Sequence, residues 1–192
     1  MTISDHAQCF SPLIGINPHT LILGSMPGRL SLERQTYYAH PRNLFWRFVR
    51  ESLALSETAS YDENCHSLVQ SGIALWDVLA ECERPGSLDS AIRNASIRLN
   101  DFPQLFEDYP TIRRVLFNGN AAFDLYRRHV LPSLSATYEA LPRVCLPSTS
   151  PANAAISLNE KREVWCRALR QPPDCSQLPS YASTLNALSV KD

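Results

Sequence analysis

The sequence predicts an α/β protein: a three-layer α/β/α sandwich around a central, mostly parallel, four-stranded sheet. Three observations lead there. Short apolar runs of strand length alternate with stretches of helical periodicity, the order that builds a parallel sheet with crossover helices. The runs are apolar throughout, as in strands covered on both faces. Each run also ends in a polar or Gly/Pro-containing segment, the form of a strand feeding a loop at one sheet edge.

Taken in order, residues 1–19 read as irregular, punctuated by Pro12 and Pro18. Thr20–Leu23 is the first strand, ending at Gly24. Residues 24–41 form a long loop, and long loops in compact domains are more often functional than decorative. Pro41 precedes a helix over Arg42–Leu55, where Phe45, Phe48, Val49 and Leu53 recur at helical spacing. Asp62–Gln70 is a second helix, closed by Gly72. Ile73–Leu79 is the second strand, with Trp76-Asp77 near its end. Residues 80–100 carry a turn at Pro85-Gly86 and a short helix near Asp89–Ala95. Asp101–Tyr109 is helical, because Pro103 falls in a tolerant first turn. Arg113–Phe117 is the third strand, stopping at Asn118-Gly119-Asn120. Ala121–His129 is a helix, Arg143–Leu146 the fourth strand and Leu158–Arg170 the last helix. The expected organisation is one domain over 1–170 and a Pro/Ser-rich tail or surface wrap over 171–192.

A chain of 192 residues with 44% hydrophobic and 19% charged content can bury a core. Its net charge of −1 supplies no global field for nucleic acid, so any such binding must use a local basic face. Arg29, Arg34, Arg42, Arg47 and Arg50 surround the long loop, although each alone reads more readily as part of a solvated helix face. Six scattered cysteines, with no CxxC pair or zinc or iron–sulfur spacing, suggest reduced thiols. No leader and no apolar run near the roughly 20 residues of a membrane span is visible. The expectation is a cytoplasmic protein without metal, cofactor or membrane association.

The loops after the strands are Gly24–Pro41, Asp77 onward, Asn118–Asn120 and Pro147–Asn153. In a parallel sheet they converge on one crevice. They offer amides, hydroxyls, backbone N–H groups and aromatic rings. There is no Walker sequence, GxGxxG, GxSxG or HExxH. The two lysines, Lys161 and Lys191, lie outside these loops, which argues against a Schiff base. Aromatic faces with amides suit a flat heterocycle: Tyr37, Tyr38 or Phe45 could stack on it, and Asn118 could read its edge. Trp46 reads as helix core, and Phe45 can be read so too. Tyr37 and Tyr38 have no periodic core role. Asn43 is either a helix cap or a carboxamide that orients a water. His40 is either a partner in that work or a loop-fixing hydrogen bond.

Gly24-Ser-Met-Pro-Gly28, then Ser31, then His40-Pro-Arg-Asn-Leu-Phe-Trp46, resembles the first motif of the uracil-DNA glycosylase superfamily. Leu146-Pro-Ser-Thr-Ser-Pro-Ala-Asn153 resembles its second motif, whose loop pushes into the duplex. The wording is most similar to the hypoxanthine (deoxyinosine) DNA glycosylase branch, related to mismatch-specific uracil/thymine glycosylases. The resemblance covers roughly residues 15–170.

The resemblance implies a monofunctional glycosylase acting on DNA with a deaminated or mispaired base, as a monomer used at the nucleoid. It implies Asn43 and His40 as catalytic residues. Gly24, Ser25, Met26, Pro27, Gly28, Tyr38, Phe45 and Asn118 would form the base pocket. Ser31, Arg42, Ser148, Thr149, Ser150, Pro151, Ala152 and Asn153 would contact DNA; by their position Ser148–Ser150 also read as a cap for the following helix. Ser25 and Met26 stand where uracil-specific relatives often carry Asp or Asn, so the first loop itself lacks a carboxylate. Two other readings use the same pocket: a hydrolase of free nucleosides or nucleotides, and a non-catalytic module that senses damaged bases.

Overall fold

The computed structural model describes residues 5–86 and 88–171. The proposed tail over 171–192 therefore falls outside the described residues, apart from Gln171. In chain order the elements are β1 (His6–Gln8), β2 (Thr20–Gly24), α1 (Arg29–Arg34), α2 (Phe45–Ser52), α3 (Tyr61–Gln70), β3 (Ile73–Asp77), β4 (Leu79–Glu83), β5 (Arg98–Leu99), α4 (Phe102–Asp108), β6 (Arg114–Asn118), α5 (Asn120–Leu125), α6 (Ala136–Glu139), β7 (Arg143–Leu146) and α7 (Leu158–Arg170).

The four predicted strands form one sheet in the order β3-β2-β6-β7, and every pairing in it is parallel. The chain leaves β2 to one side for β3 and then crosses to the other side for β6. The switch point thus lies between β2 and β6, where a parallel sheet opens a crevice at its carboxyl edge. Side-chain alternation feeds two cores. Ile22, Leu75 and Leu116 face α2, α3 and α7, around the fully buried Phe45, Phe48 and Trp165. Leu21, Leu23, Val115 and Phe117 face α4 and α5, with Phe102, Phe106 and Tyr126. Burial on both sides is why these strands read as unbroken apolar runs.

Several elements differ from expectation. The long loop contains α1, packed by buried Ser31. The helix predicted from Arg42 starts only at Phe45, because the Asn43 side chain accepts from Phe45 N–H and holds a turn there. β4 and β5, with β1 from the segment read as irregular, form a second sheet in the order β1-β4-β5, antiparallel throughout. Residues 89–95 form two short 3₁₀ turns, not one helix. The helix after β6 runs on past α5 as a π segment, Tyr126–Val130. The cap of α7 is Ser157, which exchanges capping-box bonds with Glu160. No helix among the described residues is long and apolar enough to cross a membrane.

Candidate active site at the sheet edge

All four parallel strands end on one cavity of about 300 Å³. β2 contributes Gly24 to Ser31, β3 contributes Asp77, β6 contributes Asn118 and β7 contributes Ser148 to Ala152. The turn before α2 adds Tyr38, His40 and Asn43. Of the predicted site residues, Phe45, Arg42 and Asn153 do not line it.

The first loop is held from outside. Val78 N–H donates to Gly24 O (2.8 Å) and Leu79 N–H to Ser25 O (3.1 Å). The buried guanidinium of Arg84 donates to Met26 O and Pro27 O. Peptide groups carry N–H opposite C=O, so these bonds turn the N–H groups of Ser25, Met26 and Gly28 away from their carbonyl partners. Asp89 completes the clamp, accepting from Ser25 Oγ at 2.8 Å and pairing with Arg84 at 3.4 Å. Although the first loop carries no carboxylate of its own, the fold brings two beside it, Asp77 and Asp89.

The two tyrosines take different roles, although both border the cavity and their ring centroids lie 6.4 Å apart. Tyr37 is core: its ring meets Phe10 edge-on at 5.1 Å and its hydroxyl donates to Ser11 O at 3.2 Å. Tyr38 instead faces the cavity, in the left-handed backbone region at φ 54°. A non-glycine residue there is uncommon and marks a conformation that the surroundings impose. Phe45 is fully buried beneath it, ring centroids 4.3 Å apart. The predicted stacking role of Phe45 is thus corrected: it supports Tyr38, which presents the cavity-facing ring. Trp46 is core, as read, and its indole N–H donates to Tyr37 O at 2.7 Å.

Asn43 and His40 fix the turn before α2 and both line the cavity. Asn43 Oδ1 accepts from Phe45 N–H at 3.0 Å, while Asn43 N–H donates to His40 O at 2.8 Å. The carboxamide therefore caps the turn and keeps its Nδ2 and a second Oδ1 lone pair for the cavity. His40 Nδ1 accepts from Arg42 N–H at 3.1 Å, which places the proton of the neutral ring on Nε2.

Asn118 and Thr149 join the end of β6 to the second loop. Thr149 N–H donates to Asn118 Oδ1, and Asn118 Nδ2 donates to Thr149 Oγ1, both at 2.8 Å. Asn118 thus has one amide hydrogen left for a ligand, less than its predicted edge-reading role assumed. Two DNA-contact assignments are corrected here. Thr149 is fully buried and committed to Asn118, and Ser31 is buried with its Oγ accepting from Ala39 N–H. Neither reaches a surface phosphate. Ser148 and Ser150 brace their own turn, accepting from Ser150 N–H and Ala152 N–H, and do not cap α7. Pro151 and Ala152 are exposed at the tip. Lys161, which the sequence placed away from these loops, is buried and donates to Asn153 O, tying α7 to the second loop.

The model of the uracil DNA glycosylase superfamily matches residues 12–169 of this chain. The chain belongs to that superfamily. The match spans the sheet, both loops and the cavity between them. Two relatives are named hypoxanthine DNA glycosylase. The one from Methanosarcina barkeri is 32% identical over 171 residues, covering 85% of this chain and 98% of its own. The one from Methanosarcina acetivorans is 35% identical over 161 residues, covering 80% and 92%. A solution NMR structure from Methanosarcina acetivorans, provisionally described as a uracil DNA glycosylase, superposes with a TM-score of 0.72 at 32% identity. It covers 86% of this chain and 97% of that one. The protein is accordingly a DNA glycosylase, a hydrolase of N-glycosyl bonds, and DNA is its substrate.

Sequence reasoning missed Asp77, Arg84 and Asp89 as site residues. Asp77 left a trace, an acid abutting the apolar run Ile73–Trp76. Arg84 and Asp89 left none, since only the second sheet carries them to the first loop.

Proposed function

We propose that this glycosylase is monofunctional and removes deaminated bases from DNA, hypoxanthine foremost, as the opening step of base excision repair. The observation that carries the reading is the cavity itself: the Asn43 turn and the second loop meet across a space of about 300 Å³. That is the small end of ligand pockets and suits a single base. The two hypoxanthine-named relatives point to the same base.

The target base must leave the stack, which costs a few kcal/mol and less at a mispair. Pro151, Ala152 and Asn153 would fill the space it vacates, with Ser148, Ser150 and Arg42 near the phosphates. The base would lie against Tyr38. Bond cleavage leaves positive charge on the sugar and negative charge on the base. The N–H groups of the first loop and the free Asn118 hydrogen would stabilise the base. Asn43 would hold the water that adds to C1′ as the glycosidic bond breaks. The glycosidic electron pair goes to the base, and the water proton ends on it. An amide is a weak base, but a cationic sugar needs chiefly a placed nucleophile. Among the described residues no lysine lines the cavity, so the product would be an abasic site in an uncut strand.

The test is one panel: hypoxanthine, xanthine and uracil in single- and double-stranded oligomers, beside free deoxyinosine. Release of hypoxanthine from DNA, with strand cleavage only after alkali, is expected. Release from the free nucleoside at a similar rate would favour a nucleoside hydrolase. Binding without release would favour a damage-sensing module.

A further inference from the structure

The mouth of the cavity is apolar on two sides, and one of them lies outside both loops. The lining residues that are exposed mark this rim: Arg29, Leu88, Asp89, Pro151 and Ala152. Pro151 and Ala152 come from the second loop. Leu88 comes from the segment after β4, in the small antiparallel sheet. Strand order sets the two apart. β7, which feeds the second loop, is one edge of the parallel sheet, and β3, which runs on into β4, is the other.

Leu88 is 60% exposed and belongs to neither apolar core. A single exposed apolar residue is ordinary. The other large ones among the described residues, Ile16, Leu99 and Leu158, do not line the cavity, whereas Leu88 does. Its backbone is also held on both sides. Buried Arg84 donates to Met26 O and Pro27 O and pairs with Asp89 at 3.4 Å, and Asp89 accepts from Ser25 Oγ at 2.8 Å. Arg93 N–H closes the base of the segment on Glu83 O, and Ala91 N–H donates to Leu88 O, both at 2.9 Å. The acid next to Leu88 is thus committed to Arg84 and Ser25, which blunts its repulsion of a phosphate. A leucine fixed at the mouth of a cavity that takes DNA is covered only when the substrate arrives.

We propose that Leu88 is a duplex wedge: it packs on the stacked bases beside the lesion, on the side away from the Pro151-Ala152 tip, and holds the target nucleotide out of the helix. This rests on the glycosylase reading above and adds to it a residue from outside both loops. An apolar side chain suits the task because it covers the face of an unstacked base and asks for no hydrogen bond.

The test is single-turnover release of hypoxanthine by the full chain, for wild type, Leu88→Ala, Leu88→Met and Leu88→Asn. Each acts on one duplex with the lesion opposite cytosine and on another with it opposite an abasic position, where leaving the stack costs least. Stopped-flow emission of 2-aminopurine next to the lesion reports unstacking before any base leaves. Leucine exceeds alanine by three carbons, and about three-fifths of that surface would be newly covered. Leu88→Ala should therefore lower release from the paired duplex, relative to the unpaired one, by about tenfold, with a matching loss of emission. Leu88→Met keeps the volume and should restore both to within about threefold, while the polar Leu88→Asn should not. A purely structural Leu88 would instead slow both duplexes alike and lower the denaturation midpoint. Equal loss on the two duplexes would overturn the proposal, as would wild-type release and emission in Leu88→Ala, which would leave the side chain to a protein partner. If wild type brightens 2-aminopurine but releases no hypoxanthine, the function proposed above fails and the emission of the variants still decides Leu88. If wild type does neither, both fall.

Discussion

Asn118 and Thr149 exchange two hydrogen bonds of 2.8 Å each, and through them the end of β6 fixes the second loop. Thr149 is fully buried and its carbonyl also accepts from Leu44 N–H at the start of α2. One buried residue thus sets the distance between the Asn43 turn and the second loop. Thr149→Val keeps the shape and removes the hydroxyl. It should cost about 1–2 kcal/mol, since Asn118 Nδ2 is left with an unmet hydrogen. Chemical denaturation measures this, and base release should slow alongside.

Gly24 is required by space and not by its backbone. A side chain there enters the corner shared by Asp77 and Tyr38. Gly24→Ala should leave the sheet paired and cut single-turnover base release by at least about 100-fold, as a misplaced base demands. A circular dichroism spectrum matching wild type, with activity retained, would show that the corner is not part of the pocket.

Arg84 fixes the first loop through two carbonyls and Asp89. Arg84→Met retains bulk and removes every one of these bonds. The expected loss is about 2–4 kcal/mol, because buried acceptors lose a charged donor. Arg84→Lys should recover part of it. Denaturant titration of both variants checks the order.

Asn43→Ala should lower single-turnover base release by orders of magnitude while affinity for lesion-containing DNA, read by gel shift, changes little. Removing the cap at Phe45 N–H should cost only about 1 kcal/mol of stability. The contrast between a small stability effect and a large kinetic one separates the carboxamide's two roles.

Asp77 also predicts how stability depends on pH. Its folded-state pKa is raised, so the native protein keeps a proton that the unfolded chain releases near pH 4. The associated stability is whole below about pH 4, is lost as pH rises toward about 8 and is constant beyond. Asp77→Asn cannot lose it. Its melting temperature should exceed that of wild type at pH 8 by several degrees, and the gap should narrow steadily as pH falls to 4. A gap independent of pH would show that Asp77 ionises freely.

The order of strands, loops and helices was legible in the sequence because it rests on local signals: apolar runs, helical spacing and Gly/Pro punctuation. Thr20–Gly24, Ile73–Asp77, Arg114–Asn118 and Arg143–Leu146 all pair as strands, and the loops after them share one edge because parallel strands leave no alternative. Asn43 and the two motifs were legible for the same reason, each being a contiguous string. Three things waited on the tertiary structure. Adjacent tyrosines took different partners, Tyr37 the Phe10 ring and Ser11 and Tyr38 the Phe45 ring, through a left-handed turn of the backbone at Tyr38 that is invisible in composition. The antiparallel sheet, built from strands of two to five residues, brought Arg84 and Asp89 to a loop more than fifty residues away. And Asp77, an ordinary acid in the sequence, became a group poised to stay neutral. Its charge state depends on the water it loses, and only the packed chain decides how much of that remains.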